Sequence, residues 1–173
     1  FRSQKNNNEL VAILGNYVNR VFVLCEKFFD KKVPQLHQKN ENEDLFIELN
    51  KLKNRIESSI LSFKFREAMS YVIDIARLGN KYLTDTEPWK LFNDNPERVK
   101  DIIYNSIQIV ANISILCEPF LPFTSKKIKD HLNIKDIHWS DIGFDILKPD
   151  HEISGKAHIF SRIEDDKIEY QIK

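Results

Sequence analysis

The sequence predicts an all-α fold, a helical bundle followed by an irregular or extended C-terminal tail. Three observations carry that expectation. Apolar residues recur at helical spacing in successive stretches from about Asn8 to Leu132. Glycine is scarce, four residues in 173, whereas a β-sandwich needs many tight turns. The prolines stand at the edges of the periodic stretches and not inside them, where each would break a helix.

The first helix is expected to start at Asn6-Asn7-Asn8, with Asn as the cap and Glu9 in the first turn, and to run to about Phe29. At about 100° per residue, Leu10, Leu14, Tyr17, Val18, Val21, Phe22, Cys25, Phe28 and Phe29 share a broad face that must be core. Glu9, Asn16, Arg20 and Lys27 fall on the opposite stripe and point outward. Pro34 and the polar run His37 to Asn42 end this element. A second helix follows from Glu43 to about Ser62, in a pattern that sets Leu45, Phe46, Leu49, Leu52, Ile56, Ile60 and Phe63 at helical spacing. Phe65 to Lys81 repeats the signal, and so short a link makes the pair an antiparallel hairpin. Tyr82 to Trp89, where turn formers precede Pro88, reads as a loop or as the start of a new helix.

Pro96, a good first-turn residue, opens a helix that ends before Pro119, and Ile102 to Leu116 is its strongest core segment. Pro119 and Pro122 bracket a short break, after which Thr124 is expected to cap a short helix to about Leu132. The bundle is expected to close at residue 133. Residues 134–173 form the tail, where Ile159, Ser161 and Ile163 alternate as in extended chain.

Apolar residues make up 42% of the chain and charged residues 30%, ordinary for a protein with a packed core. Basic and acidic residues balance at 26 each, so any nucleic-acid contact must be local and not a field of the whole chain. No apolar run approaches the roughly 18–20 residues that cross a bilayer, and no signal peptide opens the chain, so no membrane contact and a cytoplasmic location are expected. A start at Phe1 without Met suits a piece or a processed product. Cys25 and Cys117 lack CxxC spacing and lie in apolar helical patterns, which makes them buried free thiols. The histidines form no HxxxH or HExxH pair, and neither GxSxG nor a P-loop is present, so the motifs for zinc, hydrolase or nucleotide chemistry are missing.

Three segments stand out in order: Leu14-Gly15-Asn16-Tyr17-Val18-Asn19-Arg20, Ile75-Ala76-Arg77-Leu78-Gly79-Asn80-Lys81-Tyr82, and Thr86-Glu87-Pro88-Trp89-Lys90. Glu118-Pro119-Phe120-Leu121-Pro122 and Ile159-Phe160-Ser161-Arg162-Ile163 follow them. Together they resemble the anticodon-binding domain of the methionyl-tRNA synthetase family over about Asn7 to Asp165. Class I synthetases for Leu, Ile, Val and Cys share a similar bundle. The resemblance implies the class I anticodon-binding fold and recognition of the CAU anticodon of methionine tRNA. It also implies a parent ligase that uses ATP, magnesium and methionine in a catalytic domain whose HIGH-like and KMSKS-like strings, and whose zinc knuckle, are not in this chain. The chain itself is then expected to need no cofactor, to charge no tRNA alone, and to have as partners tRNA and that catalytic domain, toward which the tail runs back.

By the same resemblance, Asn16 and Arg20 read the anticodon and Trp89 stacks on one of its bases. Chemistry agrees with those roles: an amide and a guanidinium one turn apart can reach one splayed base, and Pro88 fixes the backbone that presents the indole. Taken without the resemblance, Asn16 and Arg20 are a solvated helix face and Trp89 is a core filler. Lys27 is either a phosphate contact or an ordinary solvated lysine. Ala12 stands where some members carry a further polar contact, which implies a smaller hydrogen-bond set. Ala157-His158 stands where members often show a proline, and because the resemblance has this segment run back to the catalytic domain, it is expected to be loosely held in isolation. A helical protein-interaction module is the rival reading, since amphipathic bundles also bind partner helices.

Overall fold

A computed structural model describes residues 2–37 and 43–155, and the side chains of all of these except 2–11 and 43. Six helices follow in order: α1 (Arg2–Phe29), α2 (Glu43–Leu61), α3 (Phe65–Thr86), α4 (Pro88–Leu91), α5 (Pro96–Leu116) and α6 (Pro122–His131). Among the described residues there is no strand, only an isolated antiparallel bridge between Lys32 and Glu152. None of these helices is long and apolar enough to cross a membrane. The side chains of Glu9 and Leu10, and the alternating residues Ile159, Ser161 and Ile163 beside Ala157-His158, lie outside the described set.

α1 starts at Arg2, ahead of the asparagine cluster Asn6-Asn7-Asn8. Asn is a preferred cap but costs only a fraction of a kcal/mol inside a helix, and nothing in Arg2 to Lys5 forbids helical backbone. Its inward face is the expected one: Leu14, Tyr17, Val18, Val21, Phe22 and Cys25 are buried. α2 and α3 form the expected hairpin, closed by Lys64 N–H bonding the Ser59 carbonyl at 2.8 Å. α3, however, continues through Tyr82 to Thr86, where a loop was expected. Leu83 is fully buried, and the Thr86 hydroxyl donates back to the Tyr82 carbonyl at 2.7 Å. Turn-forming side chains therefore serve a helix end here, because burial of Leu83 outweighs their local preference. α6 begins at Pro122 and not after Thr124. Proline suits the first helical position, and Thr124 is buried.

α5 is the central helix, capped by Asn95, whose side-chain oxygen accepts from the Arg98 N–H at 3.1 Å. Every residue from Asp101 to Cys117 is buried. One side of it meets α1, α3, α4 and α6. The other is covered by residues 134–155, which wind over it with only a single 3-10 turn at Trp139–Asp141. Irregular backbone cannot satisfy its own polar groups, so α5 supplies partners. The Gln108 amide donates to the Leu147 carbonyl at 2.7 Å, and its oxygen accepts from Ile146 and Leu147 N–H. Asn112 brackets Gly143 in the same manner, donating at 2.7 Å and accepting at 3.1 Å.

Tyr17 joins α1, α3 and α5. Its ring lies so close to Gly79 that a Cβ there would sit 2.2 Å from the ring carbon Cζ, and its hydroxyl donates to the Ser106 carbonyl at 3.2 Å. Cys25 and Cys117 are buried free thiols, as expected.

Two outcomes follow. A Gly79→Ala variant gains helix propensity on an open surface, so a stabilised protein is the outcome that would contradict this packing. The overlap with Tyr17 instead predicts a loss on the order of 3 kcal/mol and a thermal midpoint lower by roughly 6–12 °C, read by circular dichroism. The second concerns alkaline pH. Burial pushes both thiols up to about 12 from an ordinary 9.0, and it raises the Tyr17 hydroxyl as well. The folded state thus keeps protons that the unfolded chain releases, so stability is level below pH of about 9 and falls as pH rises toward about 12. Urea midpoints on either side of pH ~9 check the sign.

Candidate functional site

The site is built where α3 stops. A residue before proline is disfavoured in the α region, and Glu87 duly leaves it, at φ 42° and ψ 56°, while its N–H still bonds the Leu83 carbonyl at 3.1 Å. Pro88 then starts α4, where its missing N–H costs nothing. Pro88 is buried and Leu91 packs against the core, so the turn is fixed against α5. Trp89 and Lys90 are left facing outward, Trp89 with 38% of its surface exposed.

α1 brings the second component. Arg20 lies over the Trp89 ring, its guanidinium carbon 4.8 Å from the ring centroid. An Arg–indole contact of this kind is worth about 0.5–1 kcal/mol at a surface. One guanidinium nitrogen also reaches the Thr84 hydroxyl, at a long 3.5 Å. Asn16 is exposed one turn before Arg20, and among the described residues its amide makes no side-chain hydrogen bond. Lys27 is exposed two turns beyond Arg20, with its ammonium 5.4 Å from the Phe28 ring centroid. Phe28 in turn stacks on Phe92 at 4.4 Å and 18°, which ties this part of α1 to the end of α4.

The charges are sorted. Lys81 pairs with Asp85 and Lys90 with Glu87, both at 2.8 Å. Among the described residues Arg20 and Lys27 have no ion pair. The expected residues therefore meet in part: Arg20, Trp89 and Pro88 form one unit, Asn16 extends it along α1, and Lys27 stands apart at the Phe28–Phe92 stack. Sequence reasoning missed Thr84 and Glu87. Thr84 lies in the stretch read as loop, so its position on α3 facing Arg20 was hidden. Glu87 had a signal in the following proline. The exposed groups are an amide, a guanidinium, an ammonium and an indole, a set that can hydrogen-bond base edges, hold phosphate and stack on planar rings.

Comparison with known proteins gives the family. The family model for the anticodon binding domain of methionyl tRNA ligase matches residues 33–173. The methionine–tRNA ligase of Cytophaga hutchinsonii is 46% identical over 171 residues, covering 98% of this chain and 25% of that protein. That of Bacteroides fragilis is 42% identical over 171 residues, with the same coverage of 98% and 25%. The chain thus spans about a quarter of the length of these relatives. Mycobacterium tuberculosis methionyl-tRNA synthetase has the same fold, with a TM-score of 0.78 in its free state and 0.79 in its complex with methionyl-adenylate. Those matches are 21% identical and cover 91% and 92% of this chain and 33% of each solved chain. The all-α bundle expected from the sequence is the fold observed among the described residues, and it matches that of the solved synthetase. With a family match over most of its length and relatives 42–46% identical over nearly all of it, the chain belongs to the family of methionyl-tRNA ligase anticodon-binding domains.

Proposed function

We propose that this chain recognises the CAU anticodon of methionine tRNA on behalf of a longer ligase that attaches methionine to that tRNA using ATP and magnesium. The observation that carries the reading is the Arg20 guanidinium held 4.8 Å over a partly exposed Trp89, with Asn16 one turn away. Single-stranded bases bind where an aromatic face can take one ring and nearby donors and acceptors can meet its edge. Trp89 offers the face, a contact worth about 1–3 kcal/mol per stacked base. Asn16 both donates and accepts, and Arg20 donates in a planar fork, so the two together can read a Watson–Crick edge. Pro88 is the positioning residue, because its burial fixes where the indole points. Prior stacking on Trp89 removes part of the rotamer freedom that Arg20 would otherwise lose on binding. Lys27, exposed and without an ion pair among the described residues, supplies a phosphate contact.

In this reading residues 1–133 are the recognition bundle, and residues 134–173 lead back toward the catalytic part of the parent. The packing of 134–155 along α5 holds the start of that segment against the bundle, within the same core. The groups that would hold ATP, magnesium and methionine belong to that catalytic part, because neither a HIGH-like nor a KMSKS-like string occurs here. The parent would act in the cytoplasm.

Titration with a CAU stem-loop tests the proposal. Binding is expected to weaken as salt rises and to fail for a changed anticodon, whereas a module for partner helices would show neither dependence. Trp89→Ala should cost about 1–3 kcal/mol of affinity, and Asn16→Ala or Arg20→Ala should narrow the gap between cognate and altered loops. An unchanged affinity in Trp89→Ala overturns the assignment of the indole. A charging assay of the purified 173-residue chain should give no methionyl-tRNA.

A further inference from the structure

The α2–α3 hairpin ends in an alternation of aromatic and basic residues, Phe63-Lys64-Phe65-Arg66. Phe63 is 81% exposed and Phe65 53% exposed, and their rings meet edge to face at 6.3 Å. Phe63 also has a left-handed backbone, φ 58°, a conformation that costs a bulky residue on the order of 1 kcal/mol and that glycine would adopt freely. Neither ring adds to the core, so the fold alone gives no reason for aromatic residues at this turn. Lys64 and Arg66 are exposed and, among the described residues, have no ion pair. Glu67, the nearest acid in sequence, already accepts from the Ser59 hydroxyl at 2.9 Å. With Tyr71, the four residues Phe63 to Arg66 line an open recess of about 730 Å³, and the Arg55 guanidinium carbon lies 5.7 Å from the Tyr71 ring centroid.

We propose that this hairpin tip is a second RNA-contacting surface, which stacks unpaired nucleotides of the bound tRNA on Phe63 and Phe65 and holds their phosphates with Lys64 and Arg66. An apolar protein partner would cover the rings but leave two cations desolvated and unpaired. A nucleotide strand uses both at once, because bases and phosphates alternate along it as rings and cations do here. The inference rests on the tRNA-binding reading above, but not on the anticodon site itself. The tip and Trp89 stand at opposite ends of the 22-residue α3, a separation on the order of 33 Å at 1.5 Å per residue.

Fluorescence anisotropy with two probes tests it: a full-length methionine tRNA transcript, and a stem-loop carrying only its anticodon arm. The Phe63→Ala/Phe65→Ala double variant should weaken transcript binding by about fivefold or more and leave stem-loop binding unchanged. Lys64→Ala/Arg66→Ala should lower the salt slope for the transcript by roughly 1.4, the value for two phosphates on a single strand. Because Phe65 occupies an ordinary helical position, Phe65→Ala alone repeats the test if the double variant melts early. Unchanged transcript binding in the phenylalanine variants overturns the proposal, as does an equal loss on both probes. Trp89→Ala separates this result from the anticodon reading. If it weakens neither probe while the tip variants weaken the transcript, the anticodon assignment fails and the second surface stands.

Discussion

The junction of Tyr17 with Gly79 and Ser106 sets the geometry of the rest. A tyrosine ring against a glycine brings α1 and α3 closer than any larger residue at position 79 would allow, and the hydroxyl bond to the Ser106 carbonyl fixes both relative to α5. Arg20 is three residues beyond Tyr17 on α1, and Thr84 is five beyond Gly79 on α3. The contact between these helices therefore places the guanidinium where α3 ends and Trp89 emerges. Pulling the helices apart by even a side chain's width would separate the cation from the indole while leaving each element intact.

α5 completes the arrangement from below. It carries α4 on one side, through buried Pro88 and the partly buried Leu91, and residues 134–155 on the other, through Gln108 and Asn112. Covering both sides makes α5 buried all round. Its polar side chains are then not exceptions to burial but the partners that irregular backbone requires. Tyr104 extends the same principle, donating to Asp145 at 3.0 Å, as does the Trp139 indole N–H, which bonds Glu57 of α2 at 2.8 Å. The bundle and the start of its tail share one core, to which Leu147 and Ile153 belong.

Much of this was legible in the sequence. Apolar periodicity located all four long helices, because each buries a continuous face and that burial imposes the 3.6-residue pattern. What it could not show is the second buried face of α5, since Gln108 and Asn112 are polar side chains that apolar periodicity does not place inside. The end of α3 was misplaced for a related reason: Thr84, Asp85 and Thr86 favour turns in isolation, and only the burial of Leu83 shows that they continue a helix. In the candidate site, the outward stripe of α1 was readable from angle alone, and the proline marked the turn that presents Trp89. That the two would meet was not readable from spacing. Sixty-nine positions separate Arg20 from Trp89, and their contact depends on the tight approach at Gly79, whose demand for a small residue shows only when Tyr17 is seen against it.

The balance of charge then explains how a chain with equal numbers of acids and bases can present a cationic site. Lys51 with Glu48, Arg77 with Asp74, Lys100 with Glu97 and Lys126 with Asp130 each pair within one helical turn. Exposed pairs of this kind add at most about 1 kcal/mol of stability each, so their larger effect is on the outside field. They neutralise the helix surfaces and weaken attraction to any polyanion that lacks the right shape. Against that muted background, Arg20 and Lys27 on α1 and Lys64 and Arg66 at the hairpin tip keep their charge available among the described residues, and every one of them lies within one residue of an aromatic side chain or directly over one. At these four positions, charge and a stackable ring therefore coincide. In the proposed reading, such a surface would favour unpaired nucleotides over duplex backbone, which offers phosphates but keeps its bases stacked away from the protein.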